Sequence, residues 1–304
     1  MHETTGERRL DEAKQVYEQA VARNVDSPFT HLQRYYLGFL QHDEAAMQRQ
    51  LDWGKGRPSD QWQFALAASA TTAFHGELAK ARSLSQQAEQ QARAAGNLEQ
   101  VALMTAVFAG LEAEFGNVAA ARRQATWVPQ ANNSHDSMIT AALASAAVGE
   151  VSHAQKLAEE LNRQFPSDTI IQTYWLPTIH AMIALDRKDP QQALAALGSE
   201  LPYELGDQGY WPLCPTYVRG EAYLQTNQGQ QAAAEFSKLL KHRGIVKNSP
   251  LGALAQLQLA RAQALAGDPA AARMSYQDFF VLWKNADPDI PIYRQAKAEY
   301  AKLR

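Results

Sequence analysis

The sequence predicts an all-α fold: an α-solenoid of about eight degenerate helix-turn-helix repeats, wound as a right-handed open superhelix and ended by a capping helix. Three observations predict it. The first is Leu254 to Trp283, where two apolar stripes flank a Gly-Asp-Pro turn. Ala255, Leu259, Ala262 and Ala266 recur before the turn, and Ala272, Tyr276, Phe279 and Trp283 after it, at the 3.6-residue period of a helix with one buried face. Gly267 can take the positive φ that ends a helix, and Pro269 suits the first turn of the next. The second is repetition. Small or apolar nodes at Ala13, Met47, Ala81, Ala121, Ala154, Ala193, Ala232 and Ala272 are spaced by 34, 34, 40, 33, 39, 39 and 40 residues. A turn residue lies five positions before each node: Arg8, His42, Gly76, Gly116, Gly149, Lys188, Asn227 and Gly267. The third is a small residue seven positions before that turn, at Ser69, Ala109, Ala142, Ala181, Gly220 and Ala260, with Tyr35 the exception. Small side chains there let paired helices approach closely.

In chain order, residues 1–27 read as a partial first repeat. Leu10 to Ala20 matches a second helix, and the residues before it are too few for a first, so an apolar face is expected to stand uncovered there and to favour self-association. Residues 28–197 hold the repeats with nodes Met47, Ala81, Ala121, Ala154 and Ala193. Within them Gly54 to Ser59 (GKGRPS) follows a helix and lacks the spacing of a phosphate loop, so Ser59 or Asp60 is expected to cap the next helix. Residues 198–212 (GSELPYELGDQGYWP) form a long connector that Pro202, Gly206, Gly209 and Pro212 keep from being one helix. It is either a loop folded over a ligand groove or a connector whose aromatics pack on neighbouring repeats. Residues 213–286 hold the last two repeats, and 287–304 the capping helix, with Ile292, Ala296, Tyr300 and Leu303 in one stripe.

This pattern resembles the tetratricopeptide (TPR) repeat, a 34-residue helix-turn-helix unit that stacks into a solenoid. The phrases YVRGEAYL (217–224), AAAEFSKLLKHRGIV (232–246), LQLARAQALAGDPAAARMSYQDFFVLWKNADPDIP (257–291) and QAKAEYAKL (295–303) are similar to the TPR region of acidobacterial multidomain signalling proteins, in which a serine/threonine kinase or a winged-helix domain precedes the repeats. The resemblance implies the regulatory or sensory half of a longer signalling protein, cytoplasmic, or extracytoplasmic if a membrane span precedes the repeats. No glycine-rich loop, HRD or DFG stands in the chain, so kinase activity is not expected of it.

Composition narrows the function classes. The 304 residues are 46% hydrophobic with a formal net charge of −3 and acids and bases mixed along the chain, which argues against a dedicated nucleic-acid surface. The longest uncharged run, Thr169 to Leu185, is interrupted by Gln172, Pro177 and His180 and falls short of the roughly 20 apolar residues of a membrane span. Cys214 is the single cysteine and reads as a small buried hydrophobe. No two of the eight histidines are three to five apart, so no helical metal pair is expected, and no cofactor either. Ser134-His135-Asp136 names triad residues at a spacing that cannot form the relay, and reads as a helix start. Glu112 and Glu114 read as solvated.

What remains is a binding surface. In a solenoid of helix pairs the first helices line the concave face. The candidate ligand-binding residues there and in the connector are Arg34, Tyr35, Trp62, Tyr174, Trp175, His180, Tyr210, Trp211, Tyr217 and Arg219, with His31, Thr105 and Glu221 beside them. The expected function is a non-catalytic scaffold that holds a peptide, a partner protein or another domain of the same chain. The alternatives are a regulator that binds a small ligand and an enzyme built as a helical toroid with carboxylates at its centre, suggested by the spacing near 40 and the aromatic connector. A toroid needs its ends to meet, and the charged final helix (Arg294, Lys297, Lys302) favours the open array.

Overall fold

A computed structural model describes residues 5–125, 134–206, 209 and 211–303. Among these there is helix and no strand. A lone helix, α1 (Thr5–Ala22), leads into α2 (Pro28–Leu40) and α3 (Glu44–Lys55). Antiparallel pairs follow: α4 (Gln61–Phe74) with α5 (Leu78–Ala94), α6 (Leu98–Glu114) with α7 (Val118–Ala125), and α8 (His135–Ala147) with α9 (Val151–Gln164). A π-turn at Ile171–Trp175 opens α10 (Leu176–Asp186), which pairs with α11 (Pro190–Ala196). After the connector come α12 (Cys214–Gln225) with α13 (Gly229–Lys241), the one-turn α14 (Arg243–Val246), α15 (Pro250–Leu265) with α16 (Pro269–Leu282), and α17 (Pro291–Tyr300).

The turns fall where the spacing placed them. His42, Gly76, Gly116, Gly149, Lys188, Asn227 and Gly267 all have φ between 58° and 86°, the left-handed conformation that ends a helix. The nodes Ala81, Ala121, Ala154, Ala193, Ala232 and Ala272 are fully buried, against small partners across each pair. Ser69 Oγ donates to the Ala81 carbonyl at 2.7 Å, and a Cβ on Gly220 would meet the Phe236 ring at 2.6 Å. Trp283, Phe279 and Tyr276 are core, and Cys214 is buried. Asp60 holds the cap position of α4 without a side-chain cap bond. Ser134 caps α8 by accepting from Ser137 N at 3.3 Å.

The first node departs from the pattern. Arg8 lies inside α1 and Ala13 is exposed, so this end is a single continuous helix laid on α2, not the second half of a repeat. It rests there through polar bonds, such as Gln41 Nε2 to Asp11 Oδ1 at 3.1 Å, and leaves Val16, Val25 and Phe29 exposed.

The expected open array is also corrected. α6 packs on α8, α8 on α10, α10 on α12, α12 on α15, and α15 returns to α4. α4 and α6 are bridged by α5, whose Ala88 and Ala92 pack in one cluster with Trp62, Ala65, Val101 and Met104, so the circuit closes through α5. Backbone bonds lock the closure: Asp287 N donates to the Gly76 carbonyl at 3.0 Å and Ile292 N to the Phe115 carbonyl at 3.2 Å. Trp283 Nε1 donates to the Phe74 carbonyl at 2.9 Å, and Asn248 Nδ2 to the Ala67 carbonyl at 2.9 Å. The physical reason is that two turn glycines are also docking seats. A Cβ on Gly76 would sit 2.6 Å from Ala286 Cβ, and one on Gly116 would sit 2.9 Å from Pro291 Cβ. α17 therefore covers α16 with Ile292 and Ala296 and meets the α6–α7 turn as well.

Candidate central cleft

Closure leaves a space walled by first helices and entered at their N-terminal ends. Its larger part is a cleft of about 420 Å³ lined by Leu103 of α6, His135, Asp136, Ile139 and Thr140 of α8, Asp168 and Ile170 before the π-turn, Ile171 and Trp175 on it, and Gly209 and Trp211 of the connector. Each wall has a local cause. Ser134 starts α8, which puts His135 and Asp136 in its first turn at the rim, where both side chains are exposed. Asp168 Oδ1 accepts from Ile171 N at 2.9 Å and so anchors the π-turn. π-turns occur as single turns inside helices, often at functional sites. Here Pro177 has no N–H to give to the Thr173 carbonyl, and that carbonyl instead accepts from Ser199 Oγ at 2.9 Å. The broken helix thus holds the start of the connector.

The rest of the connector is fastened by charge. Arg219 on α12 donates to Glu200, Glu204 and Glu235, the last at 2.8 Å. Thr216 Oγ1 donates to Glu204 at 2.6 Å, and Lys238 Nζ at 3.2 Å. Burial pushes the Glu204 carboxyl up, but the Thr216 hydroxyl and the Arg219 guanidinium outweigh it and leave it lowered. So tied, the connector delivers Trp211 onto α6 at Gly110, where a Cβ would run into the indole. Trp211 is 6% exposed, and its ring N–H has no acceptor among the described residues.

Trp211 separates the cleft from a second, nearly apolar cavity of about 60 Å³, lined by Leu66, Met104, Phe108, Leu111, Pro250 and Leu251, with Glu114 as its carboxylate. Glu114 corrects the solvated reading. Burial pushes its carboxyl up to about 7, opposed by the Tyr217 hydroxyl. Glu221 across on α12 is also held well above the usual carboxylate range, by burial first and by Glu114 next. Gln258 Nε2 links Tyr217 Oη at 3.3 Å to Glu221 Oε1 at 3.4 Å, and Arg261 Nη1 donates to Gln258 Oε1 at 3.2 Å. Glu112 is not solvated either: it is fully buried and takes a two-pronged bond from Arg82 at 2.6 and 2.8 Å.

Of the candidate residues, Trp175 and Trp211 meet at the cleft. Tyr217 is 2% exposed and borders the carboxyl pair. Arg219 is the connector's anchor. Tyr35, Trp62 and Tyr174 are buried core, with Tyr35 Oη on Thr71 Oγ1 at 2.8 Å. Thr105 is buried, and His180 is exposed on α10. Arg34 and His31 line a separate cavity near α1. Tyr210 lies outside the described residues. In the sequence Asp136 reads only as part of a helix start and Glu114 only as a solvated acid, while Asp168 and the Glu200–Glu204 pair draw no reading; Asp168, two residues past Pro166, carries only the signal of a helix start.

Among the described residues no helix is long and apolar enough to cross a membrane, and no group of three or more His, Cys, Asp or Glu is placed to hold a metal ion. Comparison with known proteins found no matching family model, no similar curated protein and no similar solved structure.

Proposed function

We propose that the protein is a non-catalytic binding module that takes a basic peptide segment, bearing Lys or Arg, in the central cleft. The observation that carries this reading is the pairing of two carboxylates, Asp136 and Asp168, with two indole rings, Trp175 and Trp211, around one cleft of about 420 Å³. Carboxylates attract a cationic head, aromatic faces add cation–π attraction, and Ile139, Ile170 and Leu103 accept the apolar stem. The likeness of the C-terminal third to the repeat region of signalling proteins supports placing such a module as the ligand-reading half of a longer chain. Calorimetric titration with Lys/Arg-rich peptides should give micromolar affinity, about −8 kcal/mol, weakening with salt. The double variant D136N/D168N should lose about tenfold or more. Equal affinity for basic and acidic peptides, or an unchanged double variant, refutes the reading.

One observation favours a second reading, an acid–base enzyme in a closed helical ring: the neighbouring carboxyls of Glu114 and Glu221, both with raised pKa. Such a pair shares a proton and suits general acid catalysis. Turnover of chromogenic glycosides or esters that disappears in both Glu114→Gln and Glu221→Gln would establish it, and a wild-type chain inert across the panel would sink it.

A further inference from the structure

The N-terminal end holds a cavity of about 430 Å³ that is separate from the central cleft, lined by Lys14, Tyr17 and Glu18 of α1, His31 and Arg34 of α2, and Asp43, Arg49, Gln50 and Trp53 at or on α3. Arg34 is its least satisfied member. Its side chain is 5% exposed, yet Nη1 has no acceptor among the described residues. Nη2 reaches Asp43 Oδ2 at 3.5 Å, a long contact for a charged pair, and the guanidinium carbon stands 5.9 Å from the centre of the Tyr17 ring. Asp43 is committed elsewhere, since its Oδ1 accepts from Ala46 N at 2.8 Å as the cap of α3. Tyr17, His31 and Gln50 are tied to one another. His31 Nε2 bonds Asp26 at 2.9 Å, His31 Nδ1 meets Gln50 Oε1 at 2.7 Å, and Tyr17 Oη donates to the same Gln50 oxygen at 3.3 Å. Trp53 is stacked on His31 at 3.7 Å, with Arg57 over its other side at 3.4 Å.

The unmet valence beside the cavity is therefore one N–H donor of a guanidinium, a group that native structures leave buried without an acceptor only for a reason. The lining carries three basic side chains, Lys14, Arg34 and Arg49, against two acidic ones, Glu18 and Asp43. We propose that this cavity is a binding site for a small oxyanion, the carboxylate or phosphate head of an organic acid or ester. The Arg34 guanidinium donates to the head, Lys14 and Arg49 balance its charge, and the Tyr17 and Trp53 rings bound the space for its body. The planar guanidinium suits either anion, because both present oxygens at the spacing of its N–H groups.

The test uses the full chain and two probes, inorganic phosphate and succinate, titrated calorimetrically at ionic strength matched with chloride. The expected result is saturable binding of one anion per chain. It should weaken about tenfold or more in Arg34→Met and about threefold in Arg49→Gln, and stay unchanged in D136N/D168N, which reports on the central cleft alone. Binding of phosphate but not succinate supports a phosphate-bearing ligand, and the converse a carboxylate. No saturable binding of either probe by the wild type overturns the proposal, as does unchanged affinity in a folded Arg34→Met. If Arg34→Met does not fold, Arg49→Gln decides: Arg49 is exposed and can be changed without touching the core, and unchanged affinity there overturns the proposal as well.

Discussion

Glu114 lies at the end of α6 and faces an apolar cavity with a second carboxyl nearby. A carboxyl whose folded pKa lies above its unfolded one binds its proton more readily in the folded chain. Here the folded value is about 7 against 4.5 for the free group. Its effect on stability is favourable at low pH, falls away as pH rises from about 4.5 through about 7, and is level above that. Glu221 acts in the same direction, because burial first and Glu114 next raise its pKa too. Glu114→Gln keeps an acceptor for Tyr217 and removes the buried charge. It should be more stable than wild type by about 1–3 kcal/mol at pH 8 and nearly equal near pH 4. Urea denaturation at the two pH values checks this, and parallel pH profiles for the two proteins would contradict it. Nothing in the run Glu112-Ala113-Glu114-Phe115 announces such an environment. Both acids are set by residues on other helices, Glu114 by Tyr217 and Glu221 of α12 with Gln258 and Arg261 of α15 behind them, and Glu112 by Arg82 of α5.

At the scale of elements, the turns were legible because a left-handed residue is a local requirement. Gly76, Gly116, Gly149, Asn227 and Gly267 satisfy it with side chains that tolerate positive φ, and His42 and Lys188 were found only through their register with the others. The functional face of the first helices was not legible. α8 buries every residue from Ser137 to Ala146, so a period of 3.6 cannot say which side faces a cleft and which a neighbour. That is why Tyr35, Trp62 and Tyr174, chosen as groove aromatics, are core, while Trp175, displaced by the π-turn, reaches the cleft. The connector shows the same limit. Its composition indicated a loop, but its place depends on Arg219, which binds Glu200 and Glu204 beneath it. Arg219→Met would leave Glu200 buried without its cation and Glu204 with Lys238 alone. The expected cost is about 3–5 kcal/mol, together with faster amide exchange across residues 198–206. Exchange confined to wild-type rates there would show that the connector is held by its aromatic packing instead.

Closure of the array is a property of the whole molecule, decided by pairs such as Gly76 with Trp283 and Ala286 that lie at opposite ends of the sequence. The charge on α17, read as the sign of a free end, is compatible with closure because that charge lies away from the contacts. Ile292, Tyr293 and Ala296 are buried while Arg294 and Lys297 stay exposed. Two glycines separate the backbone and docking roles of a turn. Gly76 has φ +75° and a Cβ there would meet Ala286 at 2.6 Å and Trp283 at 2.8 Å; Gly96 has φ +79° and open space around it. An alanine at either site takes the left-handed penalty of about 1–2 kcal/mol. Only Gly76→Ala must also push Trp283 and Ala286 away. That displaces a fully buried indole and the backbone bond from Asp287 to Gly76. Gly76→Ala should therefore be less stable than Gly96→Ala by about 2–3 kcal/mol, and its small-angle scattering should show a larger radius of gyration, because the α4–α15 seam is what holds the first helices in a circuit. Equal losses of stability with unchanged scattering would mean that the seam is carried by α15 and Asn248 alone, and that the turn glycines end helices without joining the two ends of the array.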